Sequence, residues 1–294
     1  MPAITLDEAR RRCHALTREH YENFPVARLV PEHARPHVSA IYAFARTADD
    51  IADEGWSEPG SPTPEDRVAT LRAYEAELDR ALADEPPKHP EWAWIFVAVA
   101  DTVRTCQIPP QLLRDLLDAF RQDCLKLTYS TYAEVLDYAR RSANPIGRLV
   151  LLVHGQADEQ RFAWSDAICT ALQLANFWQD VGVDIRKDGR IYVPQEDWPR
   201  HGLRREHFDA AQAGPELRSC LQQQVARTRD LFAAGAPLPG VLPMPLKAEI
   251  KLTWLGGQRI LDKIEAQNYD TLAKRPKLTK WDGFKMLTKA LLPG

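Results

Sequence analysis

The sequence predicts an all-α protein, a single-domain bundle of helices packed around an apolar centre. Apolar residues recur at the three- and four-residue spacing of helices, and no run alternates apolar and polar residues as a half-buried strand does. The breaks between helical segments are rich in proline and glycine but too short to be interdomain linkers. Residues 1–294 are therefore predicted to form one all-helical domain.

The predicted helices are bounded by prolines, glycines and polar turns, which stop helices for reasons of backbone geometry. In chain order they cover residues 6–24, 36–55, 65–83, 91–107, 109–127, 132–153, 165–184, 215–234, 246–268 and 277–292. The helix over 132–153 contains Pro145, so we expect an interruption or a bend there. Gly147 beside it has two readings: a kink that makes room for a long ligand, or close packing of two helices.

The composition excludes several classes of function. A net charge of −3 gives no general attraction to nucleic acid. The five scattered cysteines form no C-x-x-C pair, which suits reduced cytosolic thiols better than disulfides or a zinc site. The opening residues carry charges throughout, unlike a secretory signal. The longest apolar run, residues 92–100, is too short to span a bilayer, which takes about 20 residues. We expect a cytoplasmic protein that contacts at most a membrane surface.

An acidic stripe accompanies the apolar face of the second predicted helix. Like charges one turn apart, as at Asp49, Asp50 and Asp53, destabilise a helix by about 0.2–0.5 kcal/mol per pair. Sequences usually break such local rules at functional sites. Tyr42, Arg46, Asp49 and Asp53 follow one another at steps of four, three and four, so they share one side of the helix. A solvated outer face is the alternative reading of this stripe.

A second stripe of the same design lies far along the chain. Gln173, Asn176, Asp180 and Asp184 are spaced at three, four and four residues beside another apolar face. One such stripe is readily explained as solvated surface, but two matching stripes favour a site. If the two helices face each other across the bundle core, the stripes form a rim of oxygen ligands.

The chemistry of these side chains points to magnesium and a diphosphate. Hard oxygen ligands without cysteine or histidine favour Mg²⁺ or Mn²⁺ over zinc, and the spacing differs from that of a calcium-binding EF-hand loop. Magnesium commonly completes its ligand set with substrate phosphate oxygens. Arg46, Arg186, Lys187 and Arg190 are nearby candidate cations for that phosphate, although the last three also suit an ordinary solvated loop. We expect departure of a diphosphate, with the apolar interior holding a hydrocarbon chain and its carbocation.

At these residues the chain resembles the squalene/phytoene synthase family, whose signature is two aspartate-rich helical motifs. "DDIAD" at 49–53 is similar to the first motif, and "NFWQDVGVD" at 176–184 to the second. The resemblance extends to the "GRIYVP" that follows and to "QNYDTLAKRPKL" at 267–278. It implies the class I isoprenoid synthase fold with a central apolar cavity.

The resemblance also assigns roles to the residues that match the family. It implies that Mg²⁺ is held by Asp49, Asp53, Asn176, Asp180 and Asp184. It implies catalytic roles for those five together with Tyr42 and Arg46, and contact with the prenyl diphosphate for Tyr42, Arg46, Gln173, Asn176, Tyr269 and Arg275.

Within the family, the motif segments are most similar to the branch that makes hydroxysqualene in bacterial hopanoid biosynthesis. That branch ionises presqualene diphosphate, rearranges the cation and captures it with water. One departure from the family pattern is Gln179, where many members have an arginine. Loss of a phosphate-binding cation there suits an enzyme that handles one diphosphate-bearing substrate. Other enzymes of the hopanoid pathway are the partners that the resemblance implies.

Other readings remain open on the sequence alone. The same magnesium site serves head-to-head prenyl condensation, which gives presqualene diphosphate, squalene or phytoene. From another class, an inactive helical protein that binds prenyl diphosphates would serve as a scaffold. The basic, amphipathic segment "KWDGFKMLTKALL" either packs on the bundle or makes transient contact with a membrane surface.

Overall fold

The structure is a computed structural model that describes residues 4–21, 30–53 and 61–291. The prediction of an all-α fold is confirmed. The described part of the chain contains twelve α-helices and no β-strand, with an isolated parallel bridge between Thr128 and Ile191. The helices are α1 Leu6–Tyr21, α2 Arg35–Asp53, α3 Pro64–Leu82, α4 Ala93–Thr105, α5 Gln111–Leu125, α6 Tyr132–Ser142, α7 Asn144–Val153, α8 Glu159–Asp188, α9 Trp198–His201, α10 Pro215–Gly235, α11 Leu246–Ala266 and α12 Lys280–Leu291.

The predicted helix over 132–153 is interrupted, as expected from Pro145, and forms α6 and α7 with a break at Ala143. A Cβ atom added to Gly147 would lie 2.3 Å from Oγ of Ser165 and 2.5 Å from Sγ of Cys169. Gly147 therefore permits close packing of this segment against α8, which favours the packing explanation for this glycine.

The helix that carries the second acidic stripe is longer than the predicted 165–184. It begins at Glu159 because the Asp158 carboxylate caps it, accepting a hydrogen bond of 2.7 Å from the Arg161 backbone N–H. It ends at Asp188 because Gly189 adopts a left-handed conformation with φ of 77°. The ends of the first and second predicted helices, 22–24 and 54–55, lie outside the described residues.

Contacts between residues divide the chain into two compact units. The first comprises residues 1–125 and 148–157, and the second comprises 126–147 and 158–294. The prediction of one single domain stays a prediction. None of the described helices is both long enough and apolar enough to cross a bilayer.

In the first unit an aromatic cluster holds α2 against α3 and α4. The rings of Tyr74 and Phe96 have centroids 4.6 Å apart, and those of Phe44 and Tyr74 are 5.4 Å apart. All three side chains are buried, and the Tyr74 hydroxyl donates a hydrogen bond of 3.3 Å to the Phe44 carbonyl oxygen. This cluster fixes the apolar face of α2 inward, which sets the direction of the acidic stripe beside it.

In the second unit α8 is packed chiefly against α10 and α11. Trp178 is fully buried, and its indole N–H donates a hydrogen bond of 2.9 Å to the Thr228 hydroxyl on α10. Phe177 stacks on Tyr192, with centroids 3.5 Å apart. The two neighbouring aromatic side chains therefore fix the rotation of α8, and with it the direction of the second stripe.

Asp282 fastens the start of α12 to α11. Its carboxylate accepts hydrogen bonds from the Thr279 backbone N–H at 2.8 Å and from Nε of Arg259 at 2.7 Å, and it pairs with Nζ of Lys263 at 2.9 Å. The pKa of Asp282 lies well below its ordinary value, first because of the hydrogen bond from the Thr279 hydroxyl and then because of Lys263. The charged form of this buried carboxylate therefore stabilises α12.

The Asp282→Asn variant is expected to increase hydrogen exchange of the α12 amides about tenfold or more at pH 7. Loss of hydrogen bonds to a charged group typically costs about 1–3 kcal/mol. Because the folded pKa is depressed, the stabilisation is fully present above the unfolded pKa of about 4 and declines as the pH falls from there towards the lower folded pKa. Protection factors measured by mass spectrometry should thus converge for variant and parent in acid. Equal protection at pH 7 would contradict this role.

Candidate active site

The first acidic motif is a half-buried cluster on α2 within the first unit. The Arg46 guanidinium lies between two carboxylates, with Nη1 at 3.2 Å from Oδ2 of Asp49 and Nη2 at 2.5 Å from Oδ1 of Asp50. The side chains of Arg46 and Asp49 are each about two-fifths exposed. Asp53 lies one turn further along the same side of the helix and is also partly exposed. The motif thus presents accessible carboxylates with a cation already among them.

Tyr42 stands in line with this cluster, as its spacing predicts. Burial raises the pKa of its hydroxyl; Arg46 lowers that pKa, while Asp50 and Asp49 raise it further. The net shift is upward, so the phenol keeps its proton at neutral pH. Tyr42 is therefore a hydrogen-bond donor on a stripe that otherwise carries acceptors and one arginine.

The second motif lies on α8 within the second unit. The Asn176 amide donates a hydrogen bond of 2.9 Å to Oδ2 of Asp180. Arg275 pairs with the same carboxylate through two nitrogens, with Nη2 at 2.9 Å from Oδ2 and Nε bonded to Oδ1. The structure therefore brings these three predicted residues together, although Asp180 and Arg275 are 95 positions apart in the chain. Gln173 is half-buried one turn before Asn176.

Asp184 is the most perturbed carboxyl group of the second motif. Its pKa is raised to about 7, first by burial and then by the neighbouring charges of Asp180 and Asp188, against the opposing effect of Arg190 and Lys187. Asp184 is thus a desolvated carboxyl group beside two further acidic side chains. A cation bound beside Asp184 would stabilise its ionised form, which burial and the acidic neighbours otherwise disfavour.

The segment that carries Arg275 lies directly on α8. A Cβ atom added to Gly182 would be 2.8 Å from the Leu272 carbonyl oxygen, so the missing side chain lets this backbone approach the helix. The Gln179 amide is buried and donates a hydrogen bond of 2.6 Å to the Pro276 carbonyl oxygen. Gly182 and Gln179 therefore hold the two ends of the segment that places Arg275 beside Asp180.

Tyr269 occupies different surroundings from the other predicted substrate-binding residues. The charges that act on its pKa are Glu265 and Arg229, on α11 and α10, and burial is the largest cause of the upward shift. Asn268 and Tyr269 both have positive φ, of 53° and 57°, which ends α11 in a sharp turn. A contact between Tyr269 and a diphosphate stays a prediction.

The basic residues after Asp184 have distinct environments. Arg190 is buried and pairs with Asp188 at 3.1 Å, and it also donates a hydrogen bond of 3.1 Å to the Tyr192 hydroxyl. Arg186 is exposed and donates a hydrogen bond of 3.3 Å to the Leu272 carbonyl oxygen. Arg190 is thus part of the internal packing, which contradicts its reading as a residue of a solvated loop.

The donor chemistry of both motifs fits magnesium. Among the described residues, no group of three or more His, Cys, Asp and Glu side chains is arranged to hold a metal ion by itself. The available donors are carboxylate and amide oxygens, which Mg²⁺ prefers, and magnesium in such sites takes further ligands from water and phosphate. The crowded carboxyl group of Asp184 is the particular feature that a divalent cation would stabilise.

Three features of these clusters were not assigned a role from the sequence. Asp50 shares Arg46 with Asp49, Asp188 adds to the charge around Asp184, and Gly182 admits the backbone of Leu272. The glycine carried a usable signal, because glycine inside a helix costs about 1 kcal/mol relative to alanine and therefore needs a packing reason. Asp50 is adjacent in sequence to Asp49, and Asp188 lies one helical turn after Asp184.

Comparison with known proteins identifies the class to which this fold and these motifs belong. The squalene/phytoene synthase family profile matches residues 17–282. A hydroxysqualene synthase from Rhodopseudomonas palustris is 35% identical over 260 residues, covering 87% of this chain and 83% of that protein. A 15-cis-phytoene synthase from Synechococcus elongatus is 29% identical over 301 residues, covering 98% and 94%.

Solved structures agree with this assignment. The crystal structure of squalene synthase HpnC from Alicyclobacillus acidocaldarius superposes with a TM-score of 0.80 at 40% identity, covering 91% of this chain and 97% of that one. A dehydrosqualene synthase in complex with a ligand has the same fold, with a TM-score of 0.80 at 21% identity and coverage of 97% and 96%. The protein belongs to the squalene/phytoene synthase family. It is an all-α enzyme of that family, with hydroxysqualene synthases among its relatives.

Proposed function

We propose that this enzyme converts presqualene diphosphate to hydroxysqualene and diphosphate with the help of magnesium. The observation that carries the proposal is the Asn176–Asp180–Arg275 cluster beside Asp184, in a chain 35% identical to a hydroxysqualene synthase. This cluster combines oxygen ligands for a divalent cation with a guanidinium suited to phosphate oxygens. In the cell it would act with other enzymes of hopanoid biosynthesis.

Five residues are the proposed ligands of magnesium: Asp49, Asp53, Asn176, Asp180 and Asp184. The bound metal would neutralise negative charge on the leaving diphosphate, which lowers the barrier to breaking its carbon–oxygen bond. Because the pKa of Asp184 is raised by burial and by its acidic neighbours, this carboxyl group binds a proton or a cation readily near neutral pH.

The arginines of the two motifs have a further role in the proposal. Arg46 and Arg275 neutralise the carboxylates while no diphosphate is present, and each transfers hydrogen bonds to diphosphate oxygens when substrate binds. The Tyr42 hydroxyl, which keeps its proton, donates to the same group. Gln173, one turn before Asn176 on α8, contributes a side-chain amide that contacts the substrate.

The reaction balances as a substitution with rearrangement. The carbon–oxygen bond of presqualene diphosphate breaks with both electrons leaving on the diphosphate, and the cyclopropylcarbinyl cation rearranges within the apolar interior. A water oxygen then bonds to the rearranged cation and gives up one proton, which yields the alcohol. No electron carrier enters this balance, whereas formation of squalene from the same cation would require a hydride donor.

A second candidate function is head-to-head prenyl condensation. It is favoured by the similarity to 15-cis-phytoene synthase over 98% of this chain. Against it stands Gln179, a neutral residue where the family resemblance implies an arginine. Its amide is also engaged by the Pro276 carbonyl. If purified protein condensed two farnesyl diphosphates as fast as it consumed presqualene diphosphate, the assignment to a single-diphosphate substrate would fail.

Diphosphate release from presqualene diphosphate distinguishes an enzyme from a scaffold. Release is expected with Mg²⁺ and is expected to stop when the metal is removed by a chelator and to resume when Mg²⁺ is restored. Binding of the substrate in a filter or calorimetric assay is measured in parallel. Retained binding without release, with the metal present, would favour the non-catalytic scaffold.

A further inference from the structure

Helix α12 carries an exposed face that the proposed reaction does not use. Trp281 is 63% exposed, Phe284 57% and Leu287 44%, and the first two rings stack with centroids 5.6 Å apart. Neighbouring exposed apolar side chains of this kind often mark a surface that another molecule covers. We define the basic aromatic face as these three residues together with Lys280, Lys285 and Lys289.

The lysines of this face are exposed and border the aromatic rings on both sides. On a helix of 3.6 residues per turn, Lys280 lies on one side of the Trp281–Phe284 pair, and Lys285 and Lys289 lie on the other. Nζ of Lys285 is 5.4 Å from the centre of the Trp281 ring. Exposed apolar side chains that share one helix face with basic side chains are typical of helices that lie in a membrane interface.

The charge of the surrounding segment is strongly one-sided. Between residues 271 and 291 the sequence contains a single carboxylate, Asp282, which is 4% exposed and paired with Arg259 and Lys263. Lys274 and Lys277 add further exposed positive charge. In a protein of net charge −3, residues 271–291 thus carry five exposed lysines and no exposed acid.

The attachment of α12 determines which way this face points. The four contacts of Asp282 hold the opposite side of the helix against α11 and cap its first turn. Asp282 and Ala290 are buried while Trp281, Phe284 and Leu287 are exposed. Packing on the bundle and contact with a membrane surface were the two alternatives for this segment; one side of α12 packs on α11, and the other side is free for such a contact.

We propose that the basic aromatic face docks the protein on the surface of an anionic lipid bilayer. The aromatic rings would enter the headgroup region, where tryptophan is favoured, and the lysines would contact acidic headgroups. A second copy of this face is a poorer occupant, because a symmetric pairing would bring lysines against lysines. The proposal does not depend on which reaction the enzyme catalyses.

Flotation of the full-length protein with lipid vesicles tests the proposal. We expect binding to vesicles of phosphatidylcholine with phosphatidylglycerol, weak binding to phosphatidylcholine alone, and loss of binding at high salt. Replacing Lys280, Lys285 and Lys289 by glutamine should weaken binding about 100-fold, because each lysine near an anionic surface contributes roughly a fivefold factor. The charge-neutral variant Trp281→Ala/Phe284→Ala should bind at least about tenfold more weakly, through lost apolar burial.

The control variants remove an exposed apolar side chain or an exposed lysine outside α12. Leu125→Ala removes another exposed apolar side chain and Lys88→Gln another exposed lysine, and both should bind vesicles like the parent. Thermal denaturation should be unchanged in all variants, since the altered side chains are exposed. Equal binding to neutral and anionic vesicles would overturn the proposal, as would unaltered binding by both α12 variants. If the parent protein formed a concentration-dependent dimer and the Trp281→Ala/Phe284→Ala variant did not, the basic aromatic face would instead be an interface with a second copy, and the proposal would be overturned.

Discussion

Replacing Asp49 with asparagine is expected to reduce diphosphate release from presqualene diphosphate about 100- to 1,000-fold, the usual cost of removing one charge-stabilising group. The same substitution at Asp50 should cost less than about tenfold. Both carboxylates contact Arg46, at 3.2 Å and 2.5 Å, but only Asp49 shares its side of α2 with Asp53 at a spacing of four residues. The pair of variants therefore separates magnesium binding from simple neutralisation of an arginine.

The measurement for this pair is kcat and KM over a range of Mg²⁺ concentrations. Asp49→Asn should require more magnesium for half-maximal rate, and Asp50→Asn should keep the requirement of the parent. Both should unfold at nearly the parent temperature, because exposed ion pairs contribute only about 0–1 kcal/mol. Equal losses in the two variants would show that the pairing with Arg46, rather than metal binding, explains the motif.

Replacing Gly182 with alanine is expected to lower both stability and activity. The added methyl group would lie 2.8 Å from the Leu272 carbonyl oxygen and 2.9 Å from the Thr271 carbonyl oxygen, which are backbone atoms that cannot rotate away. Overpacking of this kind costs about 1–3 kcal/mol. Displacement of the segment would also move Arg275 from Asp180, and a shift of about 1 Å in a positioning group can cost about 100-fold in rate.

Gly240→Ala is the matched control for this substitution. Among the described residues, apart from the chain neighbours of Gly240, none has a heavy atom within 4 Å of the position a Cβ would take there, so stability and rate should stay close to those of the parent. At Gly182, inside α8, the clash has to outweigh the gain of about 1 kcal/mol that alanine brings as the better helix former. A Gly182→Ala protein that is more stable than the parent, with full activity, would show that the 271–276 segment does not depend on this close approach.

The helices and the residues of the acidic motifs were predictable because both follow from local spacing. The steps of three and four residues placed Tyr42, Arg46 and Asp49 on one side of α2, and the structure has them there. Residue types at these positions also indicated oxygen ligands and phosphate-binding cations. The family assignment followed from the same residues and is confirmed by the match over residues 17–282.

What the sequence did not reveal depends on contacts between distant segments. Arg275 was expected to reach a diphosphate, but nothing local indicated that it pairs with Asp180. Gln179 was interpreted as a missing cation at the substrate, whereas its amide donates to the Pro276 carbonyl and helps to place Arg275. Whether the two stripes face each other and enclose an apolar cavity stays a prediction, because spacing along one helix carries no information about another.

Product analysis in oxygen-18-labelled water tests the central claim most directly. Purified enzyme is incubated with presqualene diphosphate and Mg²⁺, and the extracted lipid is analysed by mass spectrometry. The proposed reaction predicts hydroxysqualene that carries the heavy oxygen, formed in equal amount with free diphosphate and without a nicotinamide cofactor. Squalene as the product, or an alcohol that retains unlabelled oxygen from the substrate, would contradict capture of the cation by water.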